Sequence, residues 1–124
     1  MEKFTDFFSS SDESALQAIE KAQQIAFAPV VFQATRVLRN TGILQVIEDS
    51  QGHGITLPDV AAKVSLPLYG ARVLLESGLS IGLVYKKEEH YFLTKTGHFI
   101  LHDELTRVNM DFIHDVCSTR VSWL

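Results

Sequence analysis

The chain has 124 residues, enough for one domain that buries its own hydrophobic core. Its hydrophobic fraction of 46% and charged fraction of 21% are those of a globular protein and exclude a disordered or fibrous one. The formal net charge of -4 gives no general attraction to nucleic acid or to an anionic membrane, so binding to either would require a local basic patch.

The first third of the sequence predicts two helices. Ser10 and Glu13 have capping-box spacing, which predicts the start of a first helix. Pro29 predicts the start of a second helix, because a proline has no N–H to lose in a first turn. The segment "NTG" at 40–42 is typical of a helix C-cap, and "ILQVIEDS" after it predicts a short helix. Residues 1–11 are expected to be a flexible N-terminus.

The middle of the chain predicts a helix–turn–helix. Thr56 is expected to cap a helix that begins "LPDVAAKV", Pro67 lies in the turn, and Gly78 ends the following helix. "IGLVYKKEEHYFLT" then predicts two strands joined by a charged hairpin tip. "TGHFILHDE" predicts a further helix or turn, and apolar residues continue at helical spacing from Leu105 to Val116.

Together these elements predict a mainly α fold: a winged helix-turn-helix with an N-terminal helical extension and a small β-hairpin wing. We assign residues 12–104 to this winged-helix domain and residues 105–124 to a C-terminal helix. No internal repeat, low-complexity tract or Pro/Gly-rich linker divides the sequence.

The N-terminal helices carry more apolar surface than a compact winged helix readily covers. Uncovered apolar surface typically marks a protein interface, and a symmetric homodimer is the commonest arrangement. We therefore expect a homodimer with these interface candidates: Leu16, Ile19, Phe27, Val31 and Phe32. The alternative is that the same helices fold back on their own domain.

Many winged helices read DNA, and the candidate contacts for that function are Arg72, Lys86 and Lys87. A strong DNA-binding protein neutralises roughly 6–10 phosphates, and this sequence offers few cations in the required places. Glu88 and Glu89 also cancel the two lysines of the hairpin tip. We expect no nucleic-acid partner, although a DNA-binding transcription regulator stays the alternative function. An independent small-molecule binding protein ranks last, because no polar pocket motif supports it.

Cys117 is the only cysteine, so an intrachain disulfide is impossible and a reducing compartment is favoured. The acidic start of the sequence lacks the basic residues and apolar core of a secretion signal. The longest uncharged apolar run is far shorter than the roughly 20 residues that cross a bilayer. We therefore expect a soluble, cytoplasmic protein with no membrane partner.

The histidines offer weak signals for chemistry. His98 and His102 are spaced i, i+4 and could share a helix face as two metal ligands do, but a zinc site needs at least one more ligand. Nothing in the sequence brings His114 or Cys117 close to them. A Cys–His nucleophile pair lacks an orienting third residue and an oxyanion hole. We therefore expect no metal site and no catalytic residue.

Two stretches carry a family resemblance. "TLPDVAAKVSLPLYGARVLLESGLSIGLV" followed by "YFLTKTG" resembles the N-terminal dimerisation domain of class I S-adenosylmethionine-dependent O-methyltransferases. The resemblance extends over roughly residues 12–116. It implies a non-catalytic domain that intertwines with its copy in a second subunit and helps to roof the pocket of a small-molecule acceptor substrate.

The resemblance also implies that S-adenosylmethionine binds to a following Rossmann-like domain, at a glycine-rich loop that lets the backbone approach the ligand. In this sequence only "GHG" at 52–54 has G-x-G spacing, and no apolar strand precedes it. We therefore expect no cofactor and no methyl transfer from this chain alone. The chain is expected to be a fragment or truncated form of the parent enzyme that lacks the donor-binding domain.

In the family that the sequence resembles, the helix joining the two domains borders the acceptor pocket. The resemblance therefore implies pocket-lining candidates in the C-terminal helix: Met110, Phe112, Ile113 and His114. Phe27 and Phe32 could reach the pocket of a partner subunit across a swapped interface. The alternative for the C-terminal group is ordinary packing of an amphipathic helix.

Overall fold

The computed structural model describes residues 12–121 of the chain, with side chains described as far as residue 117. The chain divides into two compact units, residues 1–32 and residues 33–124. Within the described part, six helices and three strands occur in this order: α1 (Ala15–Asn40), α2 (Ile43–Asp49), β1 (Ile55–Thr56), α3 (Leu57–Val64), α4 (Leu68–Ile81), β2 (Val84–Lys87), β3 (His90–Leu93), α5 (Lys95–His102) and α6 (Glu104–Val121). This is the mainly helical fold with a small β-wing that the sequence predicts. The expected flexible segment 1–11 lies outside the described residues, and the predicted domain boundaries stay predictions.

The described part of the first unit is the beginning of α1. Ser14 caps this helix: its hydroxyl accepts a hydrogen bond from the Gln17 amide at 3.1 Å, and the Gln17 side-chain oxygen accepts one from the Ser14 amide at 3.0 Å. These reciprocal bonds form a capping box. The predicted box at Ser10 and Glu13 is not the one that starts this helix, because Glu13 precedes it and instead pairs with Lys21. Ser10 lies outside the described residues.

Pro29 lies inside α1, so the prediction of two separate N-terminal helices is wrong. An interior proline removes one backbone hydrogen bond and is costly, but it ends a helix only when the flanking residues favour another conformation. Between residues 15 and 39 there is no glycine, asparagine, aspartate or serine, and alanine, glutamine and other helix-forming residues are frequent. The helix therefore continues through the proline.

A three-stranded antiparallel sheet closes one side of the second unit, in the strand order β1-β3-β2. The hairpin of β2 and β3 pairs Val84 with Leu93 and Lys87 with His90. The short β1 adds Ile55 opposite Tyr91, a strand that the sequence analysis did not predict. Thr56 occupies the predicted cap position of α3, but its hydroxyl makes no capping hydrogen bond.

The core of the second unit lies between this sheet and the short helices. Its largest fully buried side chains come from the end of α1, from α2, α3 and α4, and from the residue before β2: Leu38, Ile43, Leu44, Ile47, Val60, Leu75 and Leu83. These aliphatic residues recur at the helical spacing that the sequence shows. Burial of this set against the sheet stabilises the unit through the hydrophobic effect.

The helix that leads into the wing ends at Ile81, not at the predicted Gly78. Gly78 is buried within the helix, where a Cβ atom would lie 3.1 Å from Val84 and 3.5 Å from Leu38. Gly82 ends the helix instead, with a φ of 92° that side chains with a Cβ rarely adopt. The turn therefore favours glycine at position 82, and close packing favours it at position 78, where a Cβ atom would require the Val84 side chain to shift.

Thr94 connects the wing to α5 and to the end of α4. Its hydroxyl donates a hydrogen bond to the Gly82 carbonyl at 2.6 Å and accepts one from the Gly97 amide at 3.1 Å. Gly97 is buried against the backbone of Leu83. A Cβ atom at this position would collide with the Leu83 carbonyl oxygen and lie 2.7 Å from the Leu93 side chain, so only glycine fits. The "TKTG" sequence thus combines a helix cap with a close backbone approach.

We expect Gly97→Ala to destabilise the second unit strongly, by about 2 kcal/mol or more, because the new methyl group meets a backbone oxygen that cannot move aside. Gly70→Ala is the matched control: Gly70 lies in α4 with open space around it, so alanine should be neutral or stabilising by up to about 1 kcal/mol. Urea unfolding followed by circular dichroism measures both. Equal effects of the two substitutions would contradict this description of Gly97.

Candidate functional site

In the first unit, α1 exposes a set of large apolar side chains. Leu16 is 75% exposed and Phe27 is 59% exposed. With 3.6 residues per turn, five exposed side chains fall within about 120° of one another around the helix axis, and we call them the α1 stripe: Leu16, Ile19, Phe27, Val30 and Val31. Glu20 and Gln23 fall within the same arc, so the stripe is apolar mainly at its two ends. Exposed apolar surface of this kind is suited to contact with another protein.

The α1 stripe contains four of the five residues predicted for a dimer interface. The fifth, Phe32, is half-buried. Sequence reasoning missed Val30, although its place three residues after Phe27 is the helical spacing that marks a shared face. Ile25 is equally exposed at 75% but lies on the opposite face of the helix.

In the second unit, α6 exposes another apolar face. Leu105, Val108, Phe112 and Val116 are all exposed and follow one another at intervals of three and four residues, and we call them the α6 stripe. The sequence showed this helical spacing from Leu105 to Val116, but among the four residues only Phe112 was selected as a pocket candidate.

The other pocket candidates of α6 differ in burial. Ile113 is exposed beside the α6 stripe, whereas His114 is half-buried and Met110 is only 8% exposed. Met110 packs on the inner side of the helix, where the Arg39 guanidinium lies 3.8 Å from its sulfur. Of the remaining candidates, Phe27 and Phe32 belong to the first unit.

An ion pair within the second unit links α6 to the end of α1. The Arg39 guanidinium donates to the Asp111 carboxylate at 3.0 Å, and the Arg39 side chain is only 10% exposed. A nearly buried guanidinium needs such a partner, because an unpaired buried charge is costly. This pair therefore helps to set the orientation of the α6 stripe.

The residues considered for DNA contact lie on two elements, Arg72 on α4 and the two lysines on β2. Arg72 is exposed on α4, while Lys86 lies 3.5 Å from Glu89 and 5.7 Å from the centre of the Tyr91 ring. Lys87 is exposed on the same strand. The acidic residues of the hairpin tip thus lie close enough to reduce the positive potential of the wing.

His98 and His102 share one face of α5, as their spacing predicts, and the structure adds a third residue to them. Glu48 of α2 lies within hydrogen-bonding distance of both imidazoles. Sequence spacing could not identify this carboxylate, because 50 residues separate it from His98. Cys117, the other residue considered with the histidines, is an exposed free cysteine on α6.

Across residues 12–121, none of the helices has both the length and the apolarity needed to cross a bilayer.

A model of the Dimerisation2-like domain matches residues 19–91, which is more than half of the chain. The chain belongs to the Dimerisation2-like domain family. The resemblance to a dimerisation domain that the two sequence stretches indicated is therefore confirmed. The match includes most of α1 and ends in β3, so it covers most of the α1 stripe and the helix–turn–helix.

Solved structures share the fold at low sequence identity. The S-adenosylmethionine-dependent methyltransferase SibL in its apo form is similar with a TM-score of 0.60 and 20% identity, over 73% of this chain and 26% of that chain. CalO1, a methyltransferase in calicheamicin biosynthesis in its SAH-bound form, has a TM-score of 0.55 and 19% identity, over 75% of this chain and 27% of that chain. PigF with SAH has a TM-score of 0.57 and 16% identity, over 70% of this chain and 25% of that chain.

The chain thus spans about a quarter of the length of the solved chains that it resembles. No curated protein matches it.

We expect Asp111→Ala to lower the free energy of unfolding by about 1 kcal/mol, because it leaves the nearly buried Arg39 guanidinium without its carboxylate. Glu89→Ala is the matched control. Glu89 is the partner of Lys86 and is 85% exposed, so its removal should cost at most about 0.5 kcal/mol. Chemical denaturation of the two variants measures the difference. A loss at Glu89 as large as that at Asp111 would contradict the importance of the Arg39 pair.

Proposed function

We propose that this chain is the dimerisation domain of an S-adenosylmethionine-dependent methyltransferase and that it acts by joining two subunits. The observation that carries the proposal is the family match over residues 19–91, a region that contains most of an exposed apolar stripe. The function is physical rather than chemical: apolar side chains leave water when two copies associate. No catalytic residue is assigned to this chain.

The proposed homodimer uses the α1 stripe as its contact surface. Burying a large aliphatic or aromatic side chain from water is favourable by about 1.5–3 kcal/mol, so five such residues in each subunit supply a strong driving force. Part of that energy is lost to the entropy of association and to ordering of side chains. A twofold symmetric contact presents the same stripe from both copies, which is the commonest arrangement of soluble oligomers.

In this proposal, the second unit is a winged helix. Its elements from α2 to β3 follow the order helix, strand, helix, helix, strand, strand, and the strands form one antiparallel sheet. The two middle helices, α3 and α4, are the helix–turn–helix. In this chain the scaffold supports a protein interface instead of a DNA contact.

The exposed side chains of α6 are proposed to face the acceptor substrate of the parent enzyme. Phe112 and Ile113 are exposed and apolar, which suits the roof of a small-molecule pocket. His114 lies beside them, and Met110 supports the helix from its buried side. Phe27 and Phe32 are proposed to reach the pocket of the partner subunit.

The methyl donor is proposed to bind outside this domain, on a Rossmann-like domain of the parent enzyme. Support comes from SibL, which is described as S-adenosylmethionine-dependent, and from CalO1 and PigF, which were solved with SAH. Each of these chains is about four times as long as the part that resembles this one. The cytoplasmic location expected from the sequence stays a prediction.

We expect the purified chain to be a dimer at micromolar concentration in sedimentation or light-scattering measurements. Ile19→Glu should weaken association by about tenfold or more, because it places a carboxylate in a surface that loses its water. Ile25→Glu is the matched control, since it makes the same change on the opposite face of α1 at a position that is 75% exposed. A strictly monomeric chain would contradict the proposal, and equal effects of both substitutions would contradict the choice of face.

We expect no specific binding to duplex DNA, because Lys86 is paired and the wing tip is electrically balanced. A gel-shift assay at low salt tests this. Binding that falls steeply with added salt and disappears when Arg72, Lys86 and Lys87 are changed to alanine would support a transcription regulator instead.

A further inference from the structure

Glu48, His98 and His102 converge at one place in the second unit. The two histidines lie one helical turn apart on α5. Glu48 lies on α2, which packs beside α5. The His98 Nδ1 atom is 3.0 Å from Glu48 Oε2, and the His102 Nε2 atom is 2.7 Å and 2.8 Å from the two carboxylate oxygens. One ligand atom from each of the three residues lies within 4.8 Å of the others.

Hydrogen bonds from the two imidazoles to the carboxylate hold this arrangement. Partial burial by itself would raise the pKa of Glu48, but the hydrogen bonds and charge interactions with His102 and His98 outweigh it and lower the pKa below its ordinary value. The Glu48 side chain is half-buried, at 28% exposure, so it is held in place rather than free in solvent.

The same three donors are a set that transition metals prefer. Two imidazole nitrogens and one carboxylate oxygen form the protein ligands of many catalytic zinc sites, with a fourth position left open. Ligand atoms bound to Zn²⁺ at about 2.0–2.1 Å in a tetrahedral arrangement lie roughly 3.3 Å apart. The nitrogen–oxygen distances here are 2.7–3.0 Å, and the three ligand atoms all lie within 4.8 Å of one another, so modest movements of the three side chains would admit the ion.

We propose that Glu48, His98 and His102 form a binding site for a divalent transition-metal ion of the Zn²⁺ class. Imidazole ligands favour zinc, copper, nickel and iron, whereas Mg²⁺ and Ca²⁺ require oxygen ligands in larger number. An ion bound here bridges α2 and α5 and so stabilises the second unit. The sequence led us to expect no metal because the third ligand could not be found there.

An open path to the site is present. Glu48 and His98 also line a cleft of about 290 Å³, together with the stacked rings of Tyr85 and Phe92. A water molecule occupies about 30 Å³, so the cleft holds several. Water or a small anionic or neutral ligand in this cleft can therefore reach Glu48 and His98.

Isothermal titration of the chain with ZnCl₂, after any histidine tag has been removed, tests the site directly. We expect one ion per chain, and an increase in the melting temperature of roughly 5–10 °C at a hundredfold excess over the dissociation constant. Co²⁺ should bind at the same stoichiometry and show the visible absorption of a low-coordinate N/O site. MgCl₂ at the same concentration should give no stabilisation.

Substitutions of the three proposed ligands then test whether the ion binds at this cluster. The double variant His98→Ala with His102→Ala should weaken Zn²⁺ binding by at least about tenfold, and Glu48→Gln, which keeps the shape of the side chain, should do the same. His53→Ala is the matched control, because His53 is an exposed histidine outside the cluster. Circular dichroism of the variants checks that each is folded.

The proposal is overturned by three results: no Zn²⁺ binding at millimolar concentration, Zn²⁺ binding that the double variant leaves unchanged, or equal binding of Mg²⁺. The site does not depend on the proposed dimerisation. Loss of metal binding with an unchanged dimer, or the reverse, would show which of the two proposals fails.

Discussion

The hydroxyl of Thr94 makes the pair of hydrogen bonds on which the arrangement of the second unit depends. It donates to the carbonyl of Gly82 at the end of α4 and accepts from the amide of Gly97 in the first turn of α5. One side chain thus fixes the end of the helix–turn–helix, the end of the wing and the start of the next helix relative to one another. Gly97 completes this junction because only a residue without a side chain fits against the Leu83 carbonyl.

The position of α5 has two consequences further along the chain. It places His98 and His102 opposite Glu48, which is what brings three potential metal ligands together. Asp103 follows directly after α5, and its carboxylate accepts hydrogen bonds from the Thr106 hydroxyl at 2.6 Å and the Thr106 amide at 3.0 Å. These bonds lower the pKa of Asp103 and cap α6 as an ionised carboxylate does at a helix N-terminus. The start of α6 is therefore set by the same junction.

Many of the apolar side chains lie either in a buried core or in the two exposed stripes. The core residues of the second unit, among them Leu38 and Leu75, are fully buried by short helices and a small sheet. The side chains of the α1 and α6 stripes are as apolar as those of the core, but they are exposed to solvent in the single chain. The proposed homodimer accounts for the exposed α1 stripe, because surface that is costly to expose in one chain becomes favourable contact area when another copy covers it, and the proposed acceptor pocket accounts for the exposed side chains of α6.

Sequence patterns predicted much of this architecture because the forces behind it are local. Helical spacing identified α3, α4 and α6, and the charged tip between two apolar runs identified the hairpin. The capping box at Ser14 and Gln17 was equally readable, although Ser10 was chosen in its place. The role of Pro29 was misjudged because a single local rule was applied without weighing the helix-forming residues around it.

The sequence by itself determined most of the element types, the mainly helical class and the dimerisation-domain resemblance, since each depends on side-chain spacing and local hydrogen bonding. Only the tertiary structure decided which apolar residues are covered, as the contrast between buried Met110 and exposed Phe112 demonstrates. It also decided that Ile55 and Thr56 form a strand, because two residues become a strand only when β3 lies beside them. The meeting of Glu48 with His98 and His102 was likewise beyond the sequence, since contacts across 50 residues depend on how helices pack and not on their spacing.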